Sequence, residues 1–157
     1  MNNFFKFNEF IELGKIFCHC EAYLIALEYF DKAISLSYLP INKERLIEAY
    51  ELRGVTKRFL GRYLESISDY SKSIELDPKN SYLYFGRAMS YECLNQNEEA
   101  LKNFKVSLML DPDFSLALSM VDYLENEKKW MDRDNFKKHL KILGIYRYSQ
   151  LKKGSLD

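Results

Sequence analysis

Three cysteines, three prolines and six glycines among 157 residues leave little room for several architectures. Cys18, Cys20 and Cys93 are too few, and odd in number, for a disulfide framework. A reducing, cytoplasmic setting is the expectation. Scarce Gly and Pro mean few turns, hence long elements joined by short connections. No apolar run approaches the length that crosses a bilayer, so a membrane partner is not expected. The opening "MNNFFKFNEF" has neither a basic lead-in nor a small-residue cleavage site, and does not read as a signal peptide. A charge surplus is also missing, with 23 basic and 23 acidic side chains. That argues against a nucleic-acid binder, whose domain normally shows a basic excess.

The neutral total hides an uneven distribution. Residues 1–62 carry 9 basic and 8 acidic side chains, residues 63–127 carry 5 and 12, and residues 128–157 carry 9 and 3. The middle is therefore acidic and the tail basic.

What the chain has is apolar and aromatic material, 47% and 15% of its residues, enough to build a real core rather than a disordered coil. It also repeats itself. "YSKSIELDPKN" at 70–80 nearly returns as "FKVSLMLDPDF" at 104–114, a shift of 34. The same shift sets Tyr50 on Tyr84, Arg53 on Arg87, Gly54 on Ala88, Ser66 on Ala100 and Pro78 on Pro112. A shift of 40 upstream brings Phe10, Gly14, Ala26, Phe30 and Ala33 onto Tyr50, Gly54, Ser66, Tyr70 and Ser73. The six extra residues fall around "SYLPINKERL", where a loop or a lengthened helix end absorbs them at little cost.

Each copy reads as two helices. Phe10, Leu13, Gly14 and Phe17 share one face by helical spacing, as do Leu24, Leu27, Phe30, Ala33 and Ile34 in the next segment. Gly14, Gly54 and Ala88 on the first helices, and Ala26, Ser66 and Ala100 on the second, permit close approach. Phe30, Tyr70 and Phe104 fill the space beyond. Asp77-Pro78 and Asp111-Pro112 end the second helices, because proline restricts its predecessor and has no amide hydrogen. Asn97, followed by Glu98 and Glu99, reads as a capped helix start. An ordinary helical bundle has no reason to repeat small residues at a fixed interval, which favours an all-α superhelical solenoid.

The pattern resembles the tetratricopeptide repeat, carried by "FIELGKIF" with Ala26 and Phe30, "YELRGVTK" with Ser66, Tyr70 and Pro78, and "YFGRAMSY" with Ala100, Phe104 and Pro112. Departures are Tyr38 where a proline belongs and Lys57 where an aromatic does. The resemblance implies a single domain with repeats at about 7–40, 47–80 and 81–114, followed by capping helices over 115–151. In the tail, "FSLALSMVDYLENEKK" and "WMDRDNFKKHLKIL" are helical in pattern; the lysines suit a polar cap, or else a basic amphipathic helix for a membrane surface or an acidic partner.

Chemistry has little to stand on. His19 and His139 lie far apart, no phosphate-cradling glycine loop or nucleophile elbow occurs, and the carboxylates sit on repetitive helix surfaces. In "FCHCE", Cys18 and Cys20 point to different sides of a helix, so small helical hydrophobes fit better than a zinc site. No enzyme activity and no cofactor is expected.

The resemblance implies a scaffold or adaptor that holds a protein or peptide on the concave side, formed by the first helix of each repeat. The family's best-known version clamps a chaperone's C-terminal carboxylate with lysines, asparagines and an arginine. At those places stand Ile11, Lys15, Leu52, Tyr82 and Gly86, so that clamp is not expected. Other implied classes are a small secretion-type or assembly chaperone and a self-associating chain, including a homodimer. The residues expected on the groove are Ile11, Lys15, Glu51, Val55, Arg58, Phe59, Tyr82, Phe85, Met89, Glu92 and Tyr123, with Phe59, Tyr82 and Phe85 as anchors.

Overall fold

The computed structural model describes residues 3–38 and 41–126. They form seven helices: α1 (Asn3–His19), α2 (Tyr23–Ser35), α3 (Lys43–Phe59), α4 (Tyr63–Leu76), α5 (Ser81–Cys93), α6 (Asn97–Leu110) and α7 (Ser115–Glu125). There is no strand among the described residues. Consecutive helices pack as the hairpins α1–α2, α3–α4 and α5–α6, and each second helix packs on the first helix of the next hairpin. Helices α1, α3 and α5 also touch directly, which makes them one continuous row. Helix α7 packs on α6; the rest of the capping region anticipated from the sequence lies outside the described residues.

The repetition extends to backbone detail. Glu21, Gly61 and Asn95 hold the same place in the three hairpin turns and all have positive φ, 58°, 75° and 58°. In each turn the next amide reaches back five residues: Ala22 to Phe17 (2.9 Å), Arg62 to Lys57 (2.8 Å) and Gln96 to Tyr91 (3.0 Å). This closes the first helix with the left-handed cap that favours glycine. At the other end of the hairpin, α4 and α6 stop at Leu76 and Leu110, before Asp77-Pro78 and Asp111-Pro112. Asp77 and Asp111 accept from the amides of Lys79 and Asp113, each at 3.2 Å. Asn42 and Asn80 cap α3 and α5 through their side chains. Asn97 does not cap α6: it is the first helical residue, Gln96 precedes it, and neither side chain makes a cap bond, although Glu98 and Glu99 do occupy the first turn. The insertion is shared between a longer connection after α2 and a longer α3, which has 17 residues against 13 in α5.

Small residues lock the hairpins. A Cβ on Gly14 would come within 2.7 Å of Phe30 Cζ, and one on Gly86 within 2.6 Å of Tyr70 Oη and closer to its ring carbons. Tyr70 also lies 3.3 Å from where a Gly54 Cβ would be. Its ring is thus wedged between glycines of two successive hairpins. Around these contacts the core divides into three parts, centred on Phe7, Ile11 and Phe30, on Ile47, Tyr70 and Leu83, and on Ala88, Phe104 and Met120. Buried serines add a repeated polar stitch to this apolar packing. Ser73 donates to the carbonyl of Ile47 (3.2 Å) and Ser107 to that of Ser81 (2.9 Å), while Ser66 donates to Gly54 (2.7 Å). Each hydroxyl loses water but keeps a partner, so its burial carries no unmet bond.

Candidate functional site

The row α1–α3–α5 presents the face on which the sequence places a binding groove. At its α1–α3 end the charges satisfy one another. Arg45 donates to Asn8 (2.9 Å), to Glu12 (3.2 Å) and to Glu48; Lys15 pairs with Glu12 (3.1 Å) and with Glu48. Burial works against the Lys15 ammonium, but the bonds it donates to Glu48 and Glu12 outweigh this and hold its pKa above the ordinary value. Glu12 is held below the usual carboxylate range, chiefly by its bond from Lys15. Neither residue offers an unspent charge.

One turn along α3 from Glu48 lies Glu51, on the same side of the helix. Its carboxylate is half-buried and makes no hydrogen bond or ion pair with any described residue. Burial pushes its pKa up, and the neighbouring charge of Glu48 pushes in the same direction.

The aromatic end is built on α5. Tyr82 is 59% exposed, with its ring 4.7 Å from that of Phe114. Phe85 lies a turn further, 4.8 Å from Phe114 and 5.4 Å from Phe104, half-buried against the last core cluster. Phe59 stacks on Tyr23 of α2 at 4.6 Å, and the Arg58 guanidinium sits 5.9 Å from the Phe59 ring centre. Val55 leans on the central cluster and Tyr123 on the last. Glu92 is half-buried.

Three residues expected on the groove are not on an open surface. Ile11 is fully buried, inside the cluster of Phe7, Ala26 and Phe30, and Met89 is 4% exposed beside Ala88 and Phe104. Both are apolar residues that helix packing has drawn inward. Arg58 is 7% exposed. Phe85, chosen as an anchor, is half-buried between Phe104 of its own hairpin and Phe114 beyond it.

Sequence reasoning missed a polar network on the flank of the same helices. Arg53 forks onto Asp69 (2.9 and 2.6 Å) and reaches Asp31 of the preceding hairpin (2.9 Å). Arg87, 34 residues on, donates to Asn103 (2.8 Å) and to Ser71 (3.2 Å), at corresponding positions. Each arginine also lies over the tyrosine three residues before it, at 5.7 Å for Tyr50 and 5.6 Å for Tyr84. The signal was present: Arg, Asp or Asn, and Asp or Ser recur at the spacing that aligned the apolar residues. Lys57 belongs to this network too. It is buried and pairs with Asp69 at 2.9 Å, where the first hairpin stacks Phe17 on Tyr29 at 5.4 Å.

Among the described residues no group of three or more His, Cys, Asp or Glu could hold a metal. No described helix is long and apolar enough to cross a membrane. Cys18 lies 3.4 Å from the Thr56 hydroxyl, and burial pushes its thiol pKa up, away from the thiolate that reactivity needs.

Models of the tetratricopeptide repeat match residues 47–80 and 69–102. Sperm-associated antigen 1 of Mus musculus is 31% identical over 81 residues, which is 52% of this chain and 9% of that protein. This chain therefore spans about a tenth of that relative's length. Among solved structures, the Arabidopsis OM64 TPR domain superposes with a TM-score of 0.72 at 21% identity, covering 80% of this chain and 99% of that one. The first TPR of Spaghetti (RPAP3), bound to the HSP90 peptide SRMEEVD, gives 0.70 at 19%, covering 80% and 95%. At such identities the likeness concerns the fold. The two matched segments run on from within α3 through α4 and α5 into α6, the hairpins repeat down to their turns and clasps, and over residues 47–102 the chain is built of tetratricopeptide repeats.

Proposed function

We propose that this chain is a protein-interaction module whose α1–α3–α5 face holds a peptide or helix of another protein. The observation that carries this is the α5 end of the row, where Tyr82 remains 59% exposed beside Phe85 and Phe114. Exposed aromatics that keep one edge packed are pre-positioned, so they lose little freedom on binding, and such residues commonly anchor interfaces. A similar fold holds an HSP90 peptide in the Spaghetti domain, which supports the mode of binding though not the ligand. Here the places that would clamp a terminal carboxylate are occupied otherwise. Ile11 is core, Lys15 is committed to Glu12 and Glu48, and the space beyond Gly86 is filled by Tyr70. No enzymatic step is proposed.

The test is selection of a random phage-displayed peptide library on the full chain, repeated with Tyr82→Ala. Peptides whose binding falls several-fold with Tyr82→Ala, but not with Met109→Ala, support the reading; Met109 is 81% exposed on α6 and serves as the control. If no peptide is enriched, or the enriched ones ignore Tyr82, the reading fails.

A further inference from the structure

Resting on that reading, we infer that the groove selects ligands carrying a basic side chain next to an apolar one, the reverse of the acid-terminated peptides clamped by a basic groove. The argument starts with Glu51. A carboxylate withdrawn from water without a partner is costly, and it becomes favourable when a cation arrives to share the site. Three basic side chains of α1 and α3 are committed to other partners. Lys15 bonds Glu12 and Glu48, Arg45 bonds Asn8, Glu12 and Glu48, and Arg53 bonds Asp69 and Asp31. Glu48, three residues before Glu51 on the same face, takes up both Lys15 and Arg45, so neither cation is left for Glu51.

The surroundings supply the apolar half. The residue matching Glu51 in the next repeat, 34 positions on, is Phe85 of α5, and α3 and α5 are in direct contact. Tyr82 stands one turn before it. A ligand whose lysine or arginine reaches Glu51 would therefore lay its neighbouring apolar side chain towards Phe85 and Tyr82. The steric evidence points the same way. An arginine at position 86, needed to hold a terminal carboxylate, has no room while Tyr70 Oη lies 2.6 Å from its would-be Cβ.

Fluorescence anisotropy with the full chain separates the outcomes. The probe is a labelled, C-terminally amidated helical peptide with Leu and Phe on one face and one central Lys. The comparisons are the same peptide with Glu in place of Lys, and SRMEEVD with a free terminus. The Lys peptide should bind about tenfold more tightly than either, and Glu51→Gln should remove most of that difference while leaving the melting temperature no lower. Raising the salt should shrink the preference. Equal or better binding of the Glu peptide or SRMEEVD, lost on Tyr82→Ala, would overturn the charge preference and leave the groove reading intact. A Lys peptide indifferent to Glu51→Gln also overturns it. If none of the three peptides depends on Tyr82, the groove reading itself fails, and this inference with it.

Discussion

Replacing Gly86 by alanine should destabilise the protein, although the same change in an ordinary helix stabilises it. In the middle of α5, alanine gains about 1 kcal/mol over glycine from helix propensity. Against that, the new methyl would sit 2.6 Å from Tyr70 Oη and nearer to the ring carbons. Tyr70 is 2% exposed, and its other edge already lies 3.3 Å from the Cβ position of Gly54. It has nowhere to retreat. Overpacking of this kind costs about 1–3 kcal/mol, and the absence of an escape route places it at the top of that range. The net loss should be about 2 kcal/mol, or roughly 4–8 °C in melting temperature for a chain of this size. Gly54→Ala is the internal control. Its methyl meets the ring edge at 3.3 Å, a few tenths of an ångström too close, so the helix gain and the strain nearly cancel. Gly54→Leu, which demands far more space at that contact, should cost a few kcal/mol. Urea unfolding followed by circular dichroism measures all three. If Gly86→Ala is as stable as the parent, Tyr70 is not confined between the two hairpins and the interlock is wrong.

Glu51→Gln should raise stability at neutral pH. The folded pKa of Glu51 lies above its unfolded value, so the native state favours the protonated acid, and stability falls as pH rises through the folded pKa; the variant's advantage should vanish in acid, as thermal melts across pH would report. Glu21→Gly should stabilise by roughly 0.5 kcal/mol, because φ of 58° strains a residue with a Cβ more than the extra freedom of glycine costs; an unchanged urea midpoint would refute it. Asp69→Ala should cost about 3 kcal/mol by leaving Arg53 and Lys57 with only their outer partners Asp31 and Glu65. Asp69→Asn should cost less, since asparagine stands at the equivalent position 103 and accepts from Arg87 there.

Much of the fold was legible because a solenoid repeats its constraints. Gly14, Ala26 and Phe30 had to recur as Gly54, Ser66 and Tyr70, since each helix meets the next in one geometry. The proposed groove was less legible for the same reason. Spacing assigns a residue to a side of its helix, but how far it sinks depends on what its neighbours leave open. Ile11 and Met89 share the groove side with Lys15 and Phe85 and were drawn into the core. Gly86 had been read only as an absent arginine; its second role depends on the ring of Tyr70, sixteen positions away, which no single column of the repeat displays. Helix α6 does start at Asn97 with Glu98 and Glu99 in its first turn, but the expected side-chain cap is not made, because the turn before it, closed by the amide of Gln96, already fixes the helix start.

The positions of Phe17 and Tyr29, of Lys57 and Asp69, and of Tyr91 and Asn103 correspond, and they are filled three ways in one chain: a ring stack, an ion pair, and an aromatic packed on the core with an asparagine that turns to Arg87. A protein engineer averaging the three copies into an ideal unit would change one member of a couple without the other. A consensus tyrosine at position 57 would strip Asp69 of one of its two cations, and an aromatic at 69 would leave Arg53 without its fork. What can be exchanged between repeats is the couple, spanning both helices of a hairpin and tied through Asp31 to the hairpin before it. Evolution along this chain would have to move by paired steps, so look-alike repeats are not interchangeable parts.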